Sequence, residues 1–500
     1  MLPKFVCVSK HKWTILTVSL LMGLVVLGAC GETATTQSQE VTTNAATTSN
    51  ATSAVAAQTI ANQTTSTLSA TSIASQTTIS QITSAVSQTT ANQATATSNV
   101  ATTKAAPIST LPPVSPPGVG GPAPTPAPPS VGQHQVTLQV PDKYKKGVFD
   151  TPRTLSVPTD FVASVYTVLP GEPRMLAYSP DGQLFATETG AGKVVLLKDT
   201  NGVASDPVTF AEGLDMPHGL AFFKDPADGK TYLYVAEQGK VSRISYEAGQ
   251  QRATTRQLLV NNLPKGGNHR TRTLAFGPDN KMYVSVGSSC NVCEDAPLRA
   301  DVLQFNPDGS GERVFAAGLR NAVGLAFNPT TGQLWETENG RDEIGNDMPP
   351  EEINILQDGK NYGWPYCYSN QVWDKDFNKR DQAFCNTTVP PALPMQAHSA
   401  PLGISFYTGK RFPSAYQGAA FVGFHGSWNR DTKTGYKVVA IVVQNGQPVS
   451  YQDFATGWLN PQTGEVWGRP VDPIMDQAGN LLVTDDQTGA IYKFSYQGQS

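Results

Sequence analysis

A lone histidine, His269, sits among glycines and arginines in the stretch GGNHRTRTLAF. A neutral imidazole is the side chain best suited to accept a proton near neutral pH. No serine stands in a nucleophile elbow, and no His-x-x-x-His pair offers a zinc site. His269 is therefore either a general base or a structural histidine in a loop. Shortly after it, SSCNVCED carries Cys290 and Cys293 at the spacing of a redox pair or half a zinc site. There is no second pair at zinc spacing, and Glu294 stands where a haem attachment motif needs histidine. Arg320 and Asn321 form an Arg-Asn pair just ahead of an apolar run, where a guanidinium fork can grip a planar anion or pair with a neighbouring acid. The stretch TENGRDEIGNDMPPEEINIL is rich in oxygen donors and glycine. It suits a hard cation such as calcium, and equally a solvated acidic turn. Asn429 and Arg430 in GFHGSWNRD, and Arg469 in VWGRPVD, lie in further turns. Arginines approaching from separate turns call for an anion to offset their repulsion.

These residues must be positioned by something repetitive, because one phrase recurs: an apolar triplet, a turn, then an alternating strand. It begins at Met175, Gly219, Leu274, Gly324, Gly403 and Pro473. Asp-Gly, Asp-Asn, Thr-Gly and Ala-Gly turns separate runs of period two, and no helical stretch of similar strength intervenes. Repeated antiparallel units at this spacing predict an all-β, six-bladed β-propeller. Loops on one face of such a ring converge on its axis, and the unequal loops here carry the polar clusters above.

The propeller is predicted over 133–500. Ahead of it, residues 1–29 read as a lipoprotein signal peptide: Lys4, Lys10 and Lys12, an apolar run from Trp13 to Ala29, then LGAC ending at Cys30, the lipidation site. Residues 30–132 are nearly all Thr, Ser, Ala, Gln and Asn, then Pro, with no apolar periodicity; they read as a disordered low-complexity linker. The protein is expected to be exported, held to the cell membrane by its N-terminal lipid, with the propeller outside the cytoplasm. Export favours disulfides, and the four body cysteines fall into two local pairs, Cys290–Cys293 and Cys367–Cys385. A net charge of −4 gives no case for nucleic-acid binding.

The ordered set NHRTRTLAFGPDNKMYVSVGSSCNVC, GLRNAVGLAFNP, ENGRDEIGNDMPPEEIN, GKNYGWP, FHGSWNR and GRPVD resembles the glucose/sorbosone dehydrogenase family, nearest its sorbosone and pyranose branch. Members are six-bladed propellers that oxidise sugars with pyrroloquinoline quinone (PQQ). The resemblance covers Phe161 to Tyr496 and implies PQQ and calcium as cofactors. It implies that His269 is the general base, that Arg320 and Asn321 hold the quinone, and that the main-chain carbonyls of Gly340 and Arg341 bind calcium. Arg469 matches a cofactor-carboxylate arginine. Asn429 or Arg430 stands near a lysine that the soluble glucose enzymes use and this chain lacks. Asn268 replaces an aspartate beside the base. His218 and Trp364 are expected at the substrate rim. The chain has no haem motif, so electrons must pass to a separate acceptor. A calcium-dependent lactonase-type propeller and a surface-displayed binding propeller are the competing readings.

Overall fold

The computed structural model describes Ala127, residues 131–200 and residues 202–498. The signal segment, Cys30 and most of the linker lie outside the described residues. Among the described residues no helix is long and apolar enough to cross a membrane.

Six antiparallel sheets form the body. Blade 1 runs through Pro173–Tyr178, Leu184–Glu188, Lys193–Leu197 and Val208–Ala211. Blade 2 uses Leu220–Lys224, Thr231–Glu237, Lys240–Ser245 and Arg256–Val260. Blade 3 uses Leu274–Phe276, Met282–Val286, Asp301–Phe305 and Arg313–Ala317, with Lys360–Asn361 added in parallel. Blade 4 uses Ala322–Phe327, Leu334–Glu338, Glu351–Leu356 and Leu393–Met395. Blade 5 uses Pro401–Phe406, Ala420–Phe424, Lys437–Gln444 and Gln447–Ala455. Blade 6 combines Pro470–Met475, Leu481–Asp485 and Ala490–Tyr496 with Phe161–Val168 from the start of the body. That last pairing joins the two ends of the body in one sheet and closes the ring. The six predicted units are the inner halves of the six blades.

Each blade's second strand is buried on both faces, because apolar clusters fill the space between successive blades. The polar residues that make these strands alternate are therefore buried too and need partners. They find them across blade boundaries. Thr187 Oγ1 donates to the His218 carbonyl at 3.1 Å, Thr337 Oγ1 to Leu402 at 2.6 Å, and Thr484 Oγ1 to Arg174 at 2.7 Å. Asp472 of blade 6 accepts from the Leu176 amide of blade 1 at 2.9 Å. Around the axis the inner strands crowd together. A Cβ at Gly219 would lie 2.6 Å from the Leu274 amide nitrogen of blade 3, so this position admits glycine alone.

A short ribbon, Gln133–Thr137 paired with Thr154–Pro158, packs over blades 5 and 6. Contacts with the body start slightly earlier than Gln133: Ala127 bridges to Gln452, and Val131 packs on the apolar cluster of these blades. The expected disulfides, Cys290–Cys293 and Cys367–Cys385, are both formed.

Candidate functional site

His269 lies in the loop that leads into blade 3, and Arg272 fixes that loop. The fully buried Arg272 guanidinium donates to the carbonyls of Pro264 at 2.6 Å, His269 at 3.0 Å and Thr271 at 2.7 Å. Ser288, at the far end of the next strand, orients the ring. Its hydroxyl donates to the Cys290 carbonyl at 2.8 Å, so its lone pair is left to accept from His269 Nδ1 at 2.9 Å. The proton therefore sits on Nδ1, and Nε2 keeps its lone pair; Nε2 makes no hydrogen bond among the described residues. Burial, then the nearby charge of Arg320, pushes the imidazole down to about 3, so it is neutral at pH 7. Gly287 makes the packing possible: a Cβ there would lie 2.5 Å from His269 Cβ and 2.9 Å from Asn321 Oδ1. Asn321 thus stands beside the base.

Arg320 is the hub of the neighbouring loops. It donates to both the carbonyl (2.9 Å) and the side chain (3.0 Å) of Asn291, and to the carbonyls of Asn339 (3.1 Å) and Gly340 (2.7 Å). It also pairs with Asp342 at 2.7 Å. Asn291 sits between the disulfide cysteines and reaches the Asp342 amide at 2.8 Å, so the Cys290–Cys293 loop braces base, arginine and acidic loop together. His269, Asn268, Arg270, Arg320, Asp342 and Trp428 line one open cavity of about 500 Å³, a size suited to a cofactor or small ligand.

The other candidates fall into three places. The Gly340 carbonyl accepts from Arg320, while the Arg341 side chain pairs with the buried Asp374. Arg430 is bound to Asp347 at 2.7 Å, and Asn429 is half-buried without a side-chain hydrogen bond among the described residues. Arg469 donates to the carbonyls of His425 at 3.0 Å and Gly426 at 2.9 Å, and lies over the Tyr436 ring. It forms no ion pair among the described residues. Beside it, Asp486 bridges His425 (2.8 Å) and Arg174 (2.7 Å), and burial lowers His425 to about 4. His218 is fully buried instead of standing at a rim. Its Nδ1 meets Thr273 Oγ1 at 3.2 Å, its Nε2 has no partner, and burial and Arg174 lower it to about 3. Trp364 is buried as well, its indole donating to the Asn291 carbonyl at 3.2 Å under the acidic loop. The convergent arginines are thus mostly matched from within, by Asp342, Asp347 and Asp374, and Arg469 is the unmatched one.

The site suits the two cofactors expected from the sequence. Hard oxygen donors cluster at Gly340–Asp342: the Asp342 carboxylate, the second lone pair of the Gly340 carbonyl, and the Arg341 carbonyl, which accepts no hydrogen bond among the described residues. Arg469, without an ion pair among the described residues, and Arg270, exposed on the cavity wall, suit a planar polyanion. Sequence reasoning missed Ser288, Arg272, Asn291 and Asp342 as parts of the site.

The TrAA12-like family model matches residues 155–497. The chain belongs to that family. This TrAA12-like protein is 30% identical over 358 residues to an uncharacterised protein of Borreliella burgdorferi, covering 69% of this chain and 91% of the other. It is 28% identical to a pyrroloquinoline quinone-dependent sugar dehydrogenase of Hypocrea jecorina, covering 64% of this chain and 84% of that enzyme. The calcium structure of a Trichoderma reesei carbohydrate-active enzyme of family AA12 superposes with a TM-score of 0.59 at 25% identity, covering 68% of this chain and 96% of that one.

Proposed function

We propose that this TrAA12-like protein oxidises a sugar hydroxyl, using calcium-bound PQQ as the hydride acceptor and His269 as the base. The observation that carries the reading is the state of His269: neutral, with Nδ1 tied to Ser288 and Nε2 unbonded at the wall of the cavity. A base in that state can take a hydroxyl proton without first losing one of its own. Once protonated, the imidazolium is opposed by Arg320, which favours handing the proton on and resetting the base.

Bound in the cavity, the quinone supplies the two-electron acceptor and calcium polarises it. Arg469, with its charge unmatched, and Asn321, beside the base, would hold the quinone; Asn429 and Arg430 follow Trp428 in the chain, and Arg430 is already paired with Asp347. Gly340, Arg341 and Asp342 would hold calcium. Arg320 acts mainly through the loops it ties together. We further propose that the protein is exported, anchored through a lipid on Cys30, and passes electrons to a separate acceptor, a quinone or cytochrome. Loss of acyl labelling in Cys30→Ser tests the anchor.

The activity is tested by adding PQQ and calcium to the purified chain and following sugar-dependent dye reduction, with lactone hydrolysis assayed in parallel. Dye reduction that needs both cofactors supports the reading. Lactone hydrolysis without dye reduction replaces it.

A further inference from the structure

Trp428 is 73% exposed, more than any other large apolar residue among those described. An indole left in water at the lip of a polar cavity is a mark of binding, since burying it elsewhere would stabilise the fold. Its exposure does not come from a loose loop. On one side Ser427 is buried, with its amide donating to Thr434 at 2.9 Å and its carbonyl accepting from the Tyr436 hydroxyl at 2.5 Å. On the other side the loop is clasped to the turn at Asn346 and Asp347. Arg430 donates to the Asn346 carbonyl at 2.6 Å and pairs with Asp347 at 2.7 Å. Asn346 and Asp431 exchange two more hydrogen bonds, at 2.8 and 3.1 Å. The ring is therefore presented by a backbone held at both ends, which lowers the ordering cost of using it.

We infer that Trp428 is the platform on which the substrate's ring lies, and that it selects pyranoses over open-chain polyols. The inference rests on the proposed sugar oxidation and adds the substrate's shape. A pyranose presents a flat patch of C–H bonds on one face and hydroxyls around its rim. The indole offers a flat apolar surface to the first. Asn268, His269, Arg270 and Asp342, lining the same cavity, offer donors and acceptors to the second. An open-chain polyol has the hydroxyls without the fixed C–H face and gains less from the indole. Arg430 is a positioning residue in this account: its clasp holds the Trp428 loop against the acidic loop.

The test compares full-length wild type, Trp428→Ala and Trp428→Phe in two assays. The first measures kcat and KM for a pyranose, with PQQ and calcium saturating, alongside a quinone titration. The second is saturation-transfer NMR of a methyl pyranoside with the cofactor-free protein, which needs no turnover. Trp428→Ala is expected to raise KM roughly tenfold or more, with quinone affinity and melting temperature kept, and to abolish transfer to the ring C–H protons. Trp428→Phe should recover most of both. An active wild type with unchanged KM and unchanged transfer in Trp428→Ala overturns the platform and leaves the dehydrogenase reading intact. A wild type that oxidises no sugar yet loses ring transfer in Trp428→Ala overturns the dehydrogenase reading and keeps the platform. Absence of both activity and transfer in wild type overturns both.

Discussion

Replacing Ser288 with alanine isolates the contribution of tautomer control. In the wild type the Ser288 hydroxyl proton is committed to the Cys290 carbonyl at 2.8 Å, and its oxygen accepts from His269 Nδ1 at 2.9 Å. Alanine removes that acceptor, so the imidazole is free to carry its proton on Nε2, where it cannot act as a base. One neutral hydrogen bond contributes about 0.5–1.5 kcal/mol net, which converts to a fall of about 2- to 10-fold in kcat. Deleting the ring in His269→Ala is expected to cost far more, on the order of 10² to 10⁴. The assay is dye reduction at saturating sugar and quinone across pH 4 to 8. Because burial and Arg320 hold the His269 pKa well below its usual value, the wild-type acid limb should fall clearly below pH 6.5. Ser288→Asp places a carboxylate beside the ring, favours the imidazolium and moves that limb to higher pH. Ser288→Ala with wild-type kcat, together with an unmoved acid limb in Ser288→Asp, refutes the tautomer argument.

Arg320→Ala and Arg469→Ala should fail differently: the first unties Asn291, Gly340 and Asp342 and lowers melting temperature and activity together, whereas the second weakens quinone binding with little change in melting, as thermal scans and a quinone titration would show. The double variant Cys367→Ser/Cys385→Ser should lose about 3 kcal/mol of stability, since the bridge closes a short surface loop, and denaturant unfolding measures it. Burial raises the Asp472 carboxyl to about 7, so its contribution is present at low pH and is lost as pH climbs from the unfolded value near 4 through 7. Asp472→Asn keeps an acceptor for the Leu176 amide and cannot ionise; its melting temperature should fall less than the wild type's between pH 5 and 8.

The blades were legible because each inner hairpin carries its turn and its alternation within a short window. The closing strand Phe161–Val168 was not, since its partner Ala490–Tyr496 lies at the opposite end of the body and no local signal joins them. The same limit governs the site. His269 stood out by residue type and glycine flanks. Ser288 looked like one polar residue among several, and only the sheet brings it to the imidazole. The arginines were found, but two of their partners, Asp342 and Asp347, were hidden in a stretch read for its oxygen content, and the third, Asp374, lies beyond it in QVWDKDF. His218 and Trp364 were placed at a rim by analogy, and both are buried, His218 against Thr273 and Trp364 in the loops around Asn291. Trp428 could have been flagged by its setting, a large aromatic in a turn of Gly, Ser, Asn and Arg.

The central claim is that His269 acts as the base on a sugar in a quinone-loaded cavity. The most direct measurement is sugar-dependent dye reduction by the purified full chain, wild type and His269→Ala, titrated with PQQ in the presence of calcium. The account predicts turnover that requires both cofactors, a loss on the order of 10² to 10⁴ in the variant that saturating quinone does not restore, and nearly equal quinone affinity in the two proteins. A variant that turns over at the wild-type rate, or a fully loaded wild type that reduces no dye with any sugar, contradicts it.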